Sequence, residues 1–137
     1  MNRIQAQKIV ERIQNIPLYL HAYAFHLNMR MEKILPDGLL DIASEQKLKG
    51  VKVHGLDGES QSLSCADDAR LQKFGEKAHS LGLDVHIETS ASDAETIDTA
   101  VAIALKSGAS SVRFYPRYEG HLAEVLAQVK QDIQYIK

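Results

Sequence analysis

The sequence predicts an α/β domain of four strand–helix units on a parallel sheet, preceded by a short helix. Two observations carry this. Short runs rich in Val, Ile, Leu and aromatic residues alternate with longer stretches of helical periodicity, and most of those stretches end at a glycine. In addition, Gly50-Val51-Lys52-Val53-His54 matches Gly82-Leu83-Asp84-Val85-His86 position for position, 32 residues apart. Strands alternating with helices of this length are joined by crossovers, which run right-handed and make the sheet parallel.

The elements follow in order. Ile4, Ile9, Ile13 and Ile16 fall near helical spacing, so residues 2–15 form an amphipathic helix ended by Pro17. The first unit spans about 18–49. Its strand is the apolar run Leu18 to His26, and its helix runs from Gly38 to Lys49, with Asp37 as cap and Gly50 as stop. Leu39, Leu40, Ile42 and Ala43 face inward. The second unit spans 51–81, with strand 51–54, a loop over 55–60, and a helix opened by a capping box from Ser64 to Asp67. Leu71, Phe74, Ala78 and Leu81 form its stripe, and Gly82 ends it. The third unit, 83–107, has strand 83–89 and a second capping box from Ser92 to Glu95. Ile97, Val101, Ala104 and Leu105 line its helix, and Gly108 stops it. The fourth, 111–137, joins strand 111–115 to a helix with Leu122, Val125, Leu126, Val129, Ile133 and Ile136 on one face.

Composition narrows the function. Sixteen basic against 18 acidic residues give a net charge of -2, which argues against a general nucleic-acid binder. No apolar run reaches the roughly 18 residues of a transmembrane helix, and the polar N-terminus lacks the apolar core of a signal peptide. A single Cys65 excludes an internal disulfide framework. The expected setting is cytoplasmic, without a membrane or nucleic-acid partner.

Overlaying the units places His21, His54, His86 and Arg113 at equivalent positions on the four strands. Side chains alternate faces along a strand. Ala22, Ala24, Val53, Val85, Ile87, Val112 and Phe114 suit the helix-facing side, which leaves His21, Tyr23, His54, His86, Glu88, Arg113 and Tyr115 on the other. In a (β/α)8 barrel that second face is the lumen, and sites lie at the C-terminal ends of the strands. Glu88 and Tyr115 sit two residues beyond the histidines, toward that end. Burying such groups without partners would cost several kcal/mol apiece, so they either face a site or satisfy one another. A complete barrel needs about 250 residues, and 137 supply four strands of eight.

Four stretches, YLHAYAFHL at 19–27, GVKVHGLDGES at 50–60, LGLDVHIETS at 81–90 and SVRFYPRYEG at 111–120, resemble the N-terminal half of one family. It is the sugar phosphate isomerase/epimerases with a xylose-isomerase-like TIM barrel. The resemblance implies a divalent-metal enzyme (Mn, Co, Mg or Zn) that moves a proton or hydride between adjacent carbons of a sugar or sugar phosphate. His54 and Asp57 are similar to the pair such enzymes use at ring opening, where the carboxylate orients the imidazole for acid/base work; Asp57-Gly58 equally reads as a turn. His54, Asp57 and Glu88 are the candidate catalytic residues, and His21, Tyr23, His86, Arg113, Tyr115 and Arg117 the candidate substrate-binding ones. Arg113 and Arg117 suit a phosphate or carboxylate, although Arg117 also reads as a solvated loop charge.

The family draws its metal ligands from later strands, absent here. Glu88 is the one candidate ligand in a partial set with His54 and His86, so this chain by itself is expected to be inactive and to bind at most a partial metal site, or none. Cys65 reads as a buried thiol, and His79 and His121 as helix-surface residues. Phosphate-loop, dinucleotide-fold and zinc-helix motifs are absent. The open sheet edges favour a homodimer or docking of a C-terminal half-barrel. The alternatives are a non-catalytic half-barrel module that self-associates and a flavodoxin-like sheet with a ligand loop at its switch point.

Overall fold

A computed structural model describes residues 3–55, 63–115 and 118–136. Among these residues, six α-helices and four strands run in the order α1 (Arg3–Gln14), β1 (Tyr19–His21), α2 (His26–Arg30), α3 (Pro36–Glu45), β2 (Gly50–His54), α4 (Asp68–Ser80), β3 (Asp84–Thr89), α5 (Ala94–Ser107), β4 (Ser111–Phe114) and α6 (Leu122–Ile136). Short 3-10 turns cover Ala22–Phe25 and Leu63–Cys65.

The strands form one parallel sheet in the order β1-β2-β3-β4. That sequential order contains no point where the winding reverses, which removes the flavodoxin-like alternative among the described strands. Val51, Val53, Val85 and Ile87 form the apolar sheet face. They pack with Leu39, Leu40 and Ala43 of α3, Leu71, Phe74 and Ala78 of α4, and Ala100, Ile103 and Ala104 of α5 in one core.

The local signals explain most boundaries. Asp67 caps α4 by accepting the Arg70 backbone N–H at 2.8 Å, and Asp93 caps α5 through Thr96 N–H at 3.0 Å. The capping boxes expected from Ser64 and Ser92 are therefore not formed: α4 is capped by Asp67, the acidic member of the expected box, and α5 by Asp93, next to Ser92. Ser64 lies in the 3-10 turn, and the Ser92 hydroxyl is engaged elsewhere. Gly108 ends α5 with φ of 64°, a left-handed conformation suited to glycine. Gly75 lies on α4 where α5 crosses it, and an added Cβ would stand 2.2 Å from the Ser107 carbonyl oxygen.

Several expectations are corrected. The apolar run 18–26 is a strand only over Tyr19–His21, after which the chain turns into the 3-10 segment and α2. α3 starts at Pro36 with Leu35 as cap, so Asp37 lies in its first turn. The helix ends at Glu45, and Gly50 opens β2 rather than stopping α3. On α5 the inward residues are Ile97, Ala100, Ile103, Ala104 and Ser107, while Val101 and Leu105 are exposed. Leu81 is also exposed, and so is Cys65.

A buried glutamate at the C-terminal edge of the sheet

The polar face of the sheet is as its alternation implies, but its rows are not. Across the sheet His21 pairs with Lys52, Lys52 with His86, and His86 with Ser111. The next row, one step toward the strand C-termini, is His54, Glu88 and Arg113. The expected row of His21, His54, His86 and Arg113 is thus split by two residues. A two-residue slip keeps every side chain on its face, so the face reading survives while the register does not.

Glu88 is the centre of the upper row. It is 1% exposed, one of the few charged side chains in the interior. Its Oε2 accepts from His21 Nε2 at 2.7 Å, and its Oε1 from Arg113 Nη1 at 3.3 Å and the Tyr115 hydroxyl at 3.4 Å. The other imidazole nitrogen, His21 Nδ1, accepts the backbone N–H of Tyr23 at 3.1 Å. That bond leaves Nδ1 without a proton and makes Nε2–H the donor to Glu88. Arg113 lies over the Tyr115 ring, 4.1 Å from its centroid, which fixes the guanidinium from a second side.

The turn at Tyr23 is what builds this. If the strand had continued to His26, Tyr23 would have joined the polar face. Instead its backbone holds His21, its ring stacks on His26 at 4.9 Å, and its side chain is exposed. The outer atoms of the cluster are accessible, since His21 is 40% and Arg113 51% exposed over the buried carboxylate. His54 shares the row, and its Nδ1 is buried with no hydrogen-bond partner among the described residues. A buried imidazole nitrogen without a partner is uncommon in folded proteins.

This chain is 64% identical over 132 residues to the uncharacterized protein YihM of Escherichia coli (strain K12). The match covers 96% of this chain and 40% of that protein, so the chain spans about two fifths of its relative's length. No family model matches, and no solved structure matches.

Other sequence-derived candidates lie apart from Glu88. His86 sits in the lower row against the Tyr19 ring, with centroids 4.6 Å apart. Tyr19 in turn donates to Asp84 at 3.0 Å, and burial together with that bond pushes its hydroxyl pKa up. Asp57 and Arg117 fall outside the described residues. Among the described residues no three His, Cys, Asp or Glu side chains come together to hold a metal. Glu88, with its oxygens already engaged by three donors, does not by itself fit one. His79 and His121 are exposed on or beside helices, as expected. No described helix is long and apolar enough to cross a membrane.

A second polar centre was missed from sequence. Asp132 of α6 is buried and accepts from Ser92 at 2.6 Å, Tyr118 at 2.5 Å and Gln128 at 3.4 Å. The Ser92 and Tyr118 hydrogen bonds hold its carboxyl below the usual carboxylate range, while the same carboxylate raises Tyr118. These residues line a cleft of about 350 Å³ between the loops after β3 and β4 and α6. Its aspartates have structural partners: Asp93 caps α5, and Asp132 ties α6 to the loop before α5.

Proposed function

We propose that this chain is the N-terminal half of a (β/α)8 barrel related to divalent-metal sugar or sugar phosphate isomerases and epimerases. In this reading it supplies substrate-binding and acid/base residues at the C-terminal ends of its strands. The observation that carries the proposal is the convergence of His21, Arg113 and Tyr115 on the buried Glu88, beside a His54 nitrogen with no hydrogen-bond partner among the described residues. Parallel α/β sheets place their sites at this end.

The division of labour follows from exposure. Glu88 has almost no surface, so it acts as a positioning residue that fixes the His21 tautomer and the Arg113 guanidinium. Arg113 presents the rest of its fork outward and binds a substrate phosphate, carboxylate or hydroxyl. His21 and His54 supply imidazole nitrogens placed to hold or pass on a substrate proton. The divalent metal of the family would be held by residues beyond the described ones, which do not form a ligand set. No step is assigned to it.

Thermal shift against a panel of aldose and ketose phosphates tests the proposal. Binding should raise the melting temperature of the wild type, and Arg113→Gln should weaken apparent affinity roughly tenfold, the loss of one charge-assisted hydrogen bond of about 1.5 kcal/mol. A panel that leaves the wild type unmoved contradicts it.

The satisfaction of Glu88 within the protein favours one second reading, a non-catalytic half-barrel that binds a small anion and self-associates. Binding without isomerisation by an assembled barrel would select it.

A further inference from the structure

α6 is docked through a carboxylate rather than through its apolar stripe. Leu122 is 74% exposed and Leu126, Ile133 and Ile136 about half exposed, whereas Asp132 is buried. One oxygen of that residue, Oδ2, accepts from the Ser92 hydroxyl at 2.6 Å and from the Tyr118 hydroxyl at 2.5 Å. Oδ1 takes the side-chain N–H of Gln128, one turn earlier on α6, at 3.4 Å. A buried carboxylate is costly unless donors surround it, and two of these three donors come from loops rather than from α6.

Both loops lead out of the Glu88 cluster. Ser92 lies four residues after Glu88, and Tyr118 three after Tyr115. The β3–β4 ladder pairs Glu88 with Arg113 and Thr89 with Phe114, and the Tyr115 N–H extends it by donating to the Thr89 carbonyl at 2.8 Å. From there one chain runs to α5 and the other to α6, and Asp132 Oδ2 joins them again. Holding both chains at one atom limits how far either can swing from the sheet. It also limits the reach of Tyr115, whose phenol donates to Glu88 at 3.4 Å and whose ring carries Arg113. We propose that Asp132 is a positioning residue of the Glu88 site. It acts through Ser92 and Tyr118, sets Tyr115 and Arg113 against Glu88, and so aligns the guanidinium for a substrate phosphate or carboxylate.

The ligand rests on the functional reading above, but the positioning is measurable without one. Ser92→Ala and Tyr118→Phe each remove one bond to Asp132. Tyr135→Phe is the control, because it removes another tie of α6, the hydroxyl bond to Asp98 at 2.8 Å, and touches neither loop. Side-chain NMR of the ligand-free chain, well below each melting transition, reads the His21 Nε2–H and the Arg113 guanidinium. Both signals should move in Ser92→Ala and Tyr118→Phe and stay in place in Tyr135→Phe. Affinity for a sugar phosphate should fall roughly three- to tenfold in the first two, the scale of one lost hydrogen bond, and hold in the control. Cluster signals that stay fixed, or that move as much in Tyr135→Phe, overturn the positioning role and leave Asp132 as the anchor of α6. Signals that move while affinity keeps its wild-type value overturn it too. A wild type that binds no sugar phosphate, with the signals moving as described, supports the positioning and overturns the functional reading alone.

Discussion

Glu88 illustrates how one residue organises the polar face of the sheet. Its carboxylate is buried and held by an imidazole, a guanidinium and a phenol. Glu88→Gln keeps the shape but removes the charge that Arg113 and His21 answer. We expect a loss of about 1.5–3 kcal/mol in urea unfolding, the range for hydrogen bonds to charged groups. The His21 imidazole signals should broaden or move with it; an unchanged unfolding midpoint would show that the cluster contributes nothing. Asp132 makes a different, pH-dependent contribution. Its folded carboxyl lies below the unfolded value of about 3.9. The unfolded chain therefore takes up that proton first as pH falls. The stabilisation is full above the unfolded value and is lost as pH drops through the lower folded one. Asp132→Asn should flatten the acid limb of a stability–pH curve, and an unaltered limb would count against this role. The two centres were unequally legible in sequence. His21, Glu88, Arg113 and Tyr115 could be assigned to one face because parity along a strand needs no knowledge of packing. Asp132 could not, because its bond to Ser92 spans 40 residues and depends on where α6 docks.

Helices and turns obey local chemistry where a cap or a close crossing decides them. Asp67, not Ser64, caps α4. Asp67→Ala should therefore cost about 0.5–2 kcal/mol, more than Ser64→Ala; the reverse ranking would restore the capping box. Gly75→Ala places a methyl against the Ser107 backbone, forcing α4 and α5 apart at a cost of about 1–3 kcal/mol. Calorimetric melting of both variants checks this. The types of the four strands and of α1, α3, α4, α5 and α6 were legible, since apolar periodicity is local; α2 and the turn before it were not. The run 18–26 was read too long because its composition suits a strand to the end. What stops the strand is the His21 ring accepting the Tyr23 backbone N–H, a side-chain choice that hydrophobicity does not reveal. Similarly, Val101 and Leu105 belong to the apolar pattern of α5, yet the smaller Ala100 and Ser107 occupy its buried face.

At the scale of the molecule, four parallel strands in sequential order set one apolar face against three helices and one polar face away from them. α6 follows β4, the last of the described strands, and its apolar stripe is exposed, as is that of α1. The register of the polar rows was not legible, since the matched GVKVH and GLDVH motifs align by composition while the hydrogen bonds align Lys52 with His86. Because the described residues assemble no ligand set, Mn or Co alone should leave the melting temperature of this chain unchanged; a saturable rise abolished by Glu88→Gln would contradict that. The most direct measurement is an imidazole-detected NMR titration of the wild-type chain with a sugar phosphate. Shifts at His21 and His54 that saturate, and that vanish in Arg113→Gln, are the expected result. Signals that stay fixed while the phosphate rises to saturating concentration would contradict a site built on Glu88.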